Sequence, residues 1–81
     1  VLPILWGDSL VGRADMKADR AAGVFRVQGS YTEPGVPADA VADDLWPEIE
    51  RMAAWLGLDS VEVHDRGDLA PALRRRSRSR R

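Results

Sequence analysis

The chain opens on an apolar run, Leu2-Pro3-Ile4-Leu5-Trp6, followed by the turn-forming Gly7-Asp8-Ser9 and then by Leu10-Val11-Gly12-Arg13-Ala14-Asp15. Two β-compatible runs around a short Gly/Asp turn predict a hairpin. By the two-residue period of a strand, Leu2, Ile4 and Trp6 share a face; across the turn the face is either Leu10, Gly12 and Ala14 or Val11, Arg13 and Asp15. The less polar set, Leu10-Gly12-Ala14, is expected to face the core. Gly12 inside a strand marks a bulge or a close backbone approach. After the polar stretch from Met16 to Gly23, Phe25, Val27 and Tyr31 alternate with Arg26, Gln28 and Ser30, which predicts a half-buried antiparallel strand. Glu33-Pro34-Gly35-Val36-Pro37 ends it, because two prolines and a glycine cannot continue a ladder.

From about Ala38 to Leu56, Val41, Leu45, Ile49, Met52 and Leu56 recur at steps of four, four, three and four, the stripe of an amphipathic helix. Gly57 is a natural stop. Pro47 interrupts the pattern: it removes one backbone bond to Asp43 and costs roughly 3 kcal/mol in a helix interior, so a kink or a break near Asp44 is expected. Val61-Glu62-Val63 is a short strand candidate. Asp68 is placed to cap a final turn over Leu69 to Leu73, with Pro71 harmless in its first turn. The predicted order is β-β-β-α-β-α: an α+β fold with an antiparallel sheet and one main amphipathic helix.

Composition narrows this picture. At 81 residues the chain is one domain at most, and a fold of this size buries only about 60% of the surface its unfolded chain exposes. Residues 1–73 are expected to form a single small domain, a fragment of a larger protein. The formal net charge of −1 conceals a division, since residues 74–81 hold six of the 12 basic residues and none of the 13 acids. This Arg/Ser tail, Arg74-Arg75-Arg76-Ser77-Arg78-Ser79-Arg80-Arg81, is expected to be disordered when free, and it offers charge to nucleic acid, to an acidic protein or to the chain's own acidic body. No run approaches the roughly 18 residues that cross a bilayer, and the opening residues lack the pattern of a secretory signal. The expectation is a cytoplasmic protein with no membrane partner.

The candidate chemistry is sparse. The chain has no Cys and one His, which excludes disulfides, thiolate nucleophiles and a Cys/His zinc site, and no metal or other cofactor is expected. His64 beside Asp65 suggests a base oriented by a carboxylate, but neighbours on an extended chain point to opposite faces, and the ordinary reading is a surface histidine. Asp15 with Asp19, and Asp43 with Asp44, are candidate carboxylate pairs whose ordinary use is solvation and helix-dipole compensation. Trp6, Trp46 and Trp55 suit base stacking, but their positions favour core packing. Arg13, Lys17, Arg20 and Arg26 fall on the second strand, the loop after it and the third strand, where one surface can present all four to phosphates. Asp15 and Asp19 interrupt that patch.

The segments Leu2-Pro3-Ile4-Leu5, Gly7-Asp8, Leu10-Val11-Gly12-Arg13, Lys17-Ala18-Asp19-Arg20 and Trp55-Leu56-Gly57-Leu58, in this order and spacing, resemble the C-terminal region of the winged-helix crosslink-repair DNA glycosylase family. The resemblance implies a larger parent with tandem winged-helix units and a C-terminal β-barrel-like domain. Such a parent binds double-stranded DNA and removes alkylated or crosslinked bases by cutting the N-glycosidic bond. The three strands here would be the later part of that barrel, packed against winged-helix domains absent from this chain. The catalytic motif of such proteins looks like Gln-x-Gln or Gln-x-Asp. This chain has one glutamine, Gln28, followed by Gly29 and Ser30, so no catalytic residue carries over. Ser9 stands where relatives often carry Arg, which weakens a DNA contact at the hairpin tip. The Arg/Ser tail lies outside the resemblance. An interaction module or truncated remnant without repair activity of its own is the alternative.

Overall fold

In the computed structural model, which describes residues 2–79, the alternating apolar runs become β1 (Leu2–Trp6), β2 (Ser9–Asp19), β3 (Val24–Thr32) and β4 (Ser60–Val63), and the helical stripe becomes α1 (Ala38–Trp55). A second helix, α2, spans Ala70–Ser79. The element order is the predicted one. The strands form one sheet in the order β1-β2-β3-β4.

The sheet is mixed rather than antiparallel throughout, because β4 pairs parallel to β3, with Phe25 opposite Val61 and Arg26 opposite Glu62. A hairpin reverses the chain, whereas the crossover through α1 returns it to the end where β3 began, so β4 has to run in the same direction. β1 forms one edge of the sheet and the four-residue β4 the other.

Two β-bulges set which side chains face the helices. Between β1 and β2 the register passes from Ile4↔Gly12 to Leu5↔Leu10, leaving Val11 as the extra residue. Val11, Gly12 and Ala14 are therefore all buried while Leu10 is half exposed, at 50%, so the expected Leu10-Gly12-Ala14 face holds only for its last two members. Gly12 also shows why it is glycine: a Cβ there would lie 2.4 Å from the Tyr31 carbonyl oxygen. The second bulge inserts Gln28 into β3, between Asp15↔Gly29 and Met16↔Val27. It reverses the alternation, so Ser30 joins Phe25 and Val27 among the buried residues and Tyr31 turns outward over Arg13. The predicted grouping of Tyr31 with Phe25 and Val27 is corrected by this one inserted residue.

α1 runs unbroken through Pro47. Asp43, whose carbonyl loses its partner, and Pro47 are both exposed, so water can satisfy the freed acceptor and the expected break does not occur. The helix buries Val41, Ala42, Leu45, Trp46, Ile49 and Ala53 against Phe25 and Val27 of the sheet, Leu69 just before α2, and Ala72 and Leu73 of α2. Burying a leucine or isoleucine side chain contributes about 1.5–3 kcal/mol. Trp55 is six residues on from Ile49, about 120° round the helix at 100° per residue, and is 85% exposed. Of the three tryptophans only Trp46 packs in the core.

The start of α2 is fastened to β3. Ser30 N donates to Arg66 O at 3.0 Å and Leu69 N donates to Ser30 O at 3.2 Å. Asp68 does not cap the helix with its side chain; it accepts from Thr32 N at 3.0 Å through Oδ1 and from the Thr32 hydroxyl through Oδ2. Burial pushes the Asp68 carboxyl up, but the bonds from Thr32 prevail and hold it below the usual aspartate value.

Candidate nucleic-acid interface

The sheet face away from the helices carries the predicted phosphate contacts. The registers Arg13↔Tyr31 and Lys17↔Arg26, together with Arg26↔Glu62, lay these side chains across three strands. Arg20 sits in the turn after β2. The structure thus brings Arg13, Lys17 and Arg26 to one surface with Arg20 at its margin, but the four differ in how far they are already committed.

Arg26 is the most committed. Its Nε and Nη2 donate to Asp19 Oδ2 at 3.3 and 3.0 Å, and its Nη1 donates to Glu62 Oε1 at 2.5 Å. The Arg26 guanidinium, with help from the Ala22 backbone N–H, holds the Asp19 carboxyl below its usual value; Asp19 and then Glu62 raise the Arg26 pKa in turn. A cation clamped between two carboxylates presents little net field to a phosphate. Arg13 is held loosely: its guanidinium stacks 4.8 Å above the Tyr31 ring centroid, and Nη1 lies 3.8 Å from Glu33 Oε2. Lys17 and Arg20 are exposed, and among the described residues neither lies within ion-pair distance of a carboxylate, although the Lys17 charge acts weakly on Asp19. The open positive charge is therefore at the turn end of the β2–β3 hairpin, on Lys17 and Arg20, with Arg13 further along the sheet.

His64 does not form a pair with Asp65. Its Nε2 lies 2.7 Å from Glu62 Oε1, and that contact, followed by Arg26, holds Glu62 below the usual glutamate value. The result is a surface chain of charges, Asp19-Arg26-Glu62-His64, with no nucleophile at its end. The carboxylate pairs also separate: Asp19 is tied to Arg26, while Asp43 receives Arg76 Nε and Nη2 at 2.9 and 2.5 Å.

The feature that sequence reasoning missed is an apolar strip beside β1. Leu2, Leu5, Trp6 and Leu10 are between 37% and 55% exposed. Next to them, a groove of about 210 Å³ between β1 and α1 is lined by Leu2, Ile4, Trp6, Met16, Leu45 and Met52, with Asp44 and Glu48 also on its wall. The signal was available in the run Leu2 to Trp6, which has more apolar residues than one buried face needs.

A sequence model of the family described as DNA glycosylase AlkZ-like matches residues 1–55, the span from β1 to the end of α1. Comparisons with curated proteins and with solved structures give no match.

Proposed function

The chain belongs to the AlkZ-like DNA glycosylase family, and from that premise we propose that it is a non-catalytic C-terminal segment of a longer winged-helix protein that repairs alkylated or crosslinked DNA. In this reading it supplies a duplex-contacting surface while base removal belongs to the rest of the parent. The observation that carries the proposal is the family match over the β2–β3 hairpin, whose strand β2 holds Arg13 and Lys17 and whose turn holds Arg20, three exposed cations without a tight carboxylate partner. Such side chains contact phosphates without reading sequence. The apolar strip beside β1 suits packing against the winged-helix part.

The same strip favours a second reading, an interaction or scaffold module without a DNA surface. Duplex binding across a salt series separates the two. On the first reading the Lys17→Ala/Arg20→Ala variant loses about two from the slope of log affinity against log salt. An unchanged slope removes the DNA surface from the sheet and leaves the scaffold. The 81-residue chain is expected to release no base from alkylated duplex; measurable release overturns the non-catalytic assignment.

A further inference from the structure

The arginine-rich end, expected to be disordered from residue 74, is helical through Ser79; Arg80 and Arg81 lie outside the described residues. Order here has an identifiable source. Leu69 and Leu73 are fully buried, arginine is a good helix former, and cations near a helix C-terminus complement its dipole. Arg76 then fastens the helix to α1, its Nε and Nη2 donating to Asp43 Oδ1 and Nη2 to the Asp39 carbonyl at 3.0 Å, while Nη1 donates back to the Ala72 carbonyl of α2 at 2.9 Å. Arg75 Nη2 donates to Asp39 Oδ1 at 2.6 Å.

Fixing Arg75 and Arg76 leaves Arg74 and Arg78 on another face, one helical turn apart. Arg74 Nη1 lies 3.8 Å from Asp65 Oδ2, a loose contact. Arg78 is exposed and, among the described residues, has no ion-pair partner. Both line a groove of about 280 Å³ between α2 and β4, with Ser77 between them and Val61, Glu62 and Val63 opposite. Glu62, the one acid in that wall, is already engaged by Arg26 and His64.

We propose that Arg74 and Arg78, with the Ser77 hydroxyl between them, form a phosphodiester-binding strip for a nucleic-acid backbone, separate from the sheet surface. Arginine positions one turn apart are offset by about 6 Å along the helix, on the scale of the roughly 6.8 Å axial rise over two nucleotides of one strand, so each guanidinium can reach its own phosphate. Guanidinium binds phosphate through paired donors. Because Arg76 holds the helix in place, the strip is organised before binding, which lowers the ordering cost that a disordered polycation incurs. The inference goes beyond the reading above, since residues 74–79 lie outside the family match, and shares with it only a nucleic-acid partner.

The test measures binding of a short labelled DNA duplex across a salt series by the whole chain, Arg74→Gln/Arg78→Gln and Lys17→Ala/Arg20→Ala, with thermal unfolding of each as a check on folding. The expected result is a slope lower by about two for Arg74→Gln/Arg78→Gln, with an unchanged unfolding midpoint. A slope equal to that of the unsubstituted chain overturns the strip, and so does absence of any duplex binding by that chain. If only the α2 variant loses slope, the strip stands and the sheet surface falls; if only the sheet variant does, the reverse holds. Should Arg74→Gln/Arg78→Gln unfold, Arg74→Glu and Arg78→Glu singly replace it, and folded single variants that bind as well as the unsubstituted chain overturn the proposal.

Discussion

The two sides of the molecule treat apolar residues in opposite ways. Where β3, α1 and α2 meet, Val27, Val41, Ile49, Leu69 and Leu73 are all fully buried. Along β1 and its turn, Leu2, Leu5, Trp6 and Leu10 keep between 37% and 55% of their surface in water. The difference shows that hydrophobicity in the sequence specifies a need for cover and does not say where the cover comes from. α1 and α2 satisfy that need for one side only.

The largest effects are expected on the covered side. Ile49→Ala and Leu73→Ala should each destabilise the fold by about 2–5 kcal/mol, read from denaturant midpoints. Gly67→Ala follows. Its φ of 94° is unfavourable for any side chain, and a Cβ would stand 1.9 Å from the Ser30 carbonyl oxygen, so a loss of at least about 1–3 kcal/mol is expected from the backbone conformation alone. On the uncovered side, Leu5→Ser and Trp55→Ser should change stability by no more than about 0.5 kcal/mol. A loss at Leu5 comparable to that at Ile49, growing with protein concentration, would break the comparison by showing that the strip is covered in solution.

The smallest effect is a dependence on acid. Asp19 and Glu62 have lowered pKa values in the folded chain, so between folded and unfolded values the unfolded chain binds more protons. Their contribution is fully present above the ordinary carboxylate values, about 3.9 to 4.3, and is lost as pH falls through the lowered folded ones. Arg26→Gln should flatten this acid limb from its upper end, lowering stability near pH 7 by the small amount expected for exposed pairs and converging with the unsubstituted chain in acid. An acid limb that keeps its full slope in that variant would remove Arg26 as the cause.

Element order was legible because period two, period 3.6 and the Gly/Pro punctuation agree along most of the chain. Facing was less so. Val11 and Gln28 each add one residue to a ladder, and nothing in a single strand's alternation announces a bulge, so alternation alone puts Leu10 and Tyr31 on the wrong face. The parallel pairing of β4 follows from the path of α1, which local pattern does not contain. The order of α2 is not legible in the sequence because its six-residue arginine and serine stretch has, in isolation, the composition of a disordered segment. Its stability comes from Leu69 and Leu73 before it and from Asp39 and Asp43 more than 30 positions earlier. At the candidate interface, positions were legible and partners were not: Arg13, Lys17 and Arg26 do share a surface, but Glu62, the residue that helps neutralise Arg26, lies 36 positions away.

The seam between β3 and the loop before α2 is built from main-chain atoms: His64 N donates to Val27 O, Ser30 N to Arg66 O and Leu69 N to Ser30 O. A seam of this kind is indifferent to most side chains. Asp65 and Arg66 can drift through many substitutions without loosening it, while at Gly67 every other amino acid brings an atom into space that the Ser30 carbonyl occupies. The information that holds this corner together is therefore concentrated in the one residue without a side chain, and a library randomised over residues 64–67 should return broad variety at three positions and glycine at the fourth.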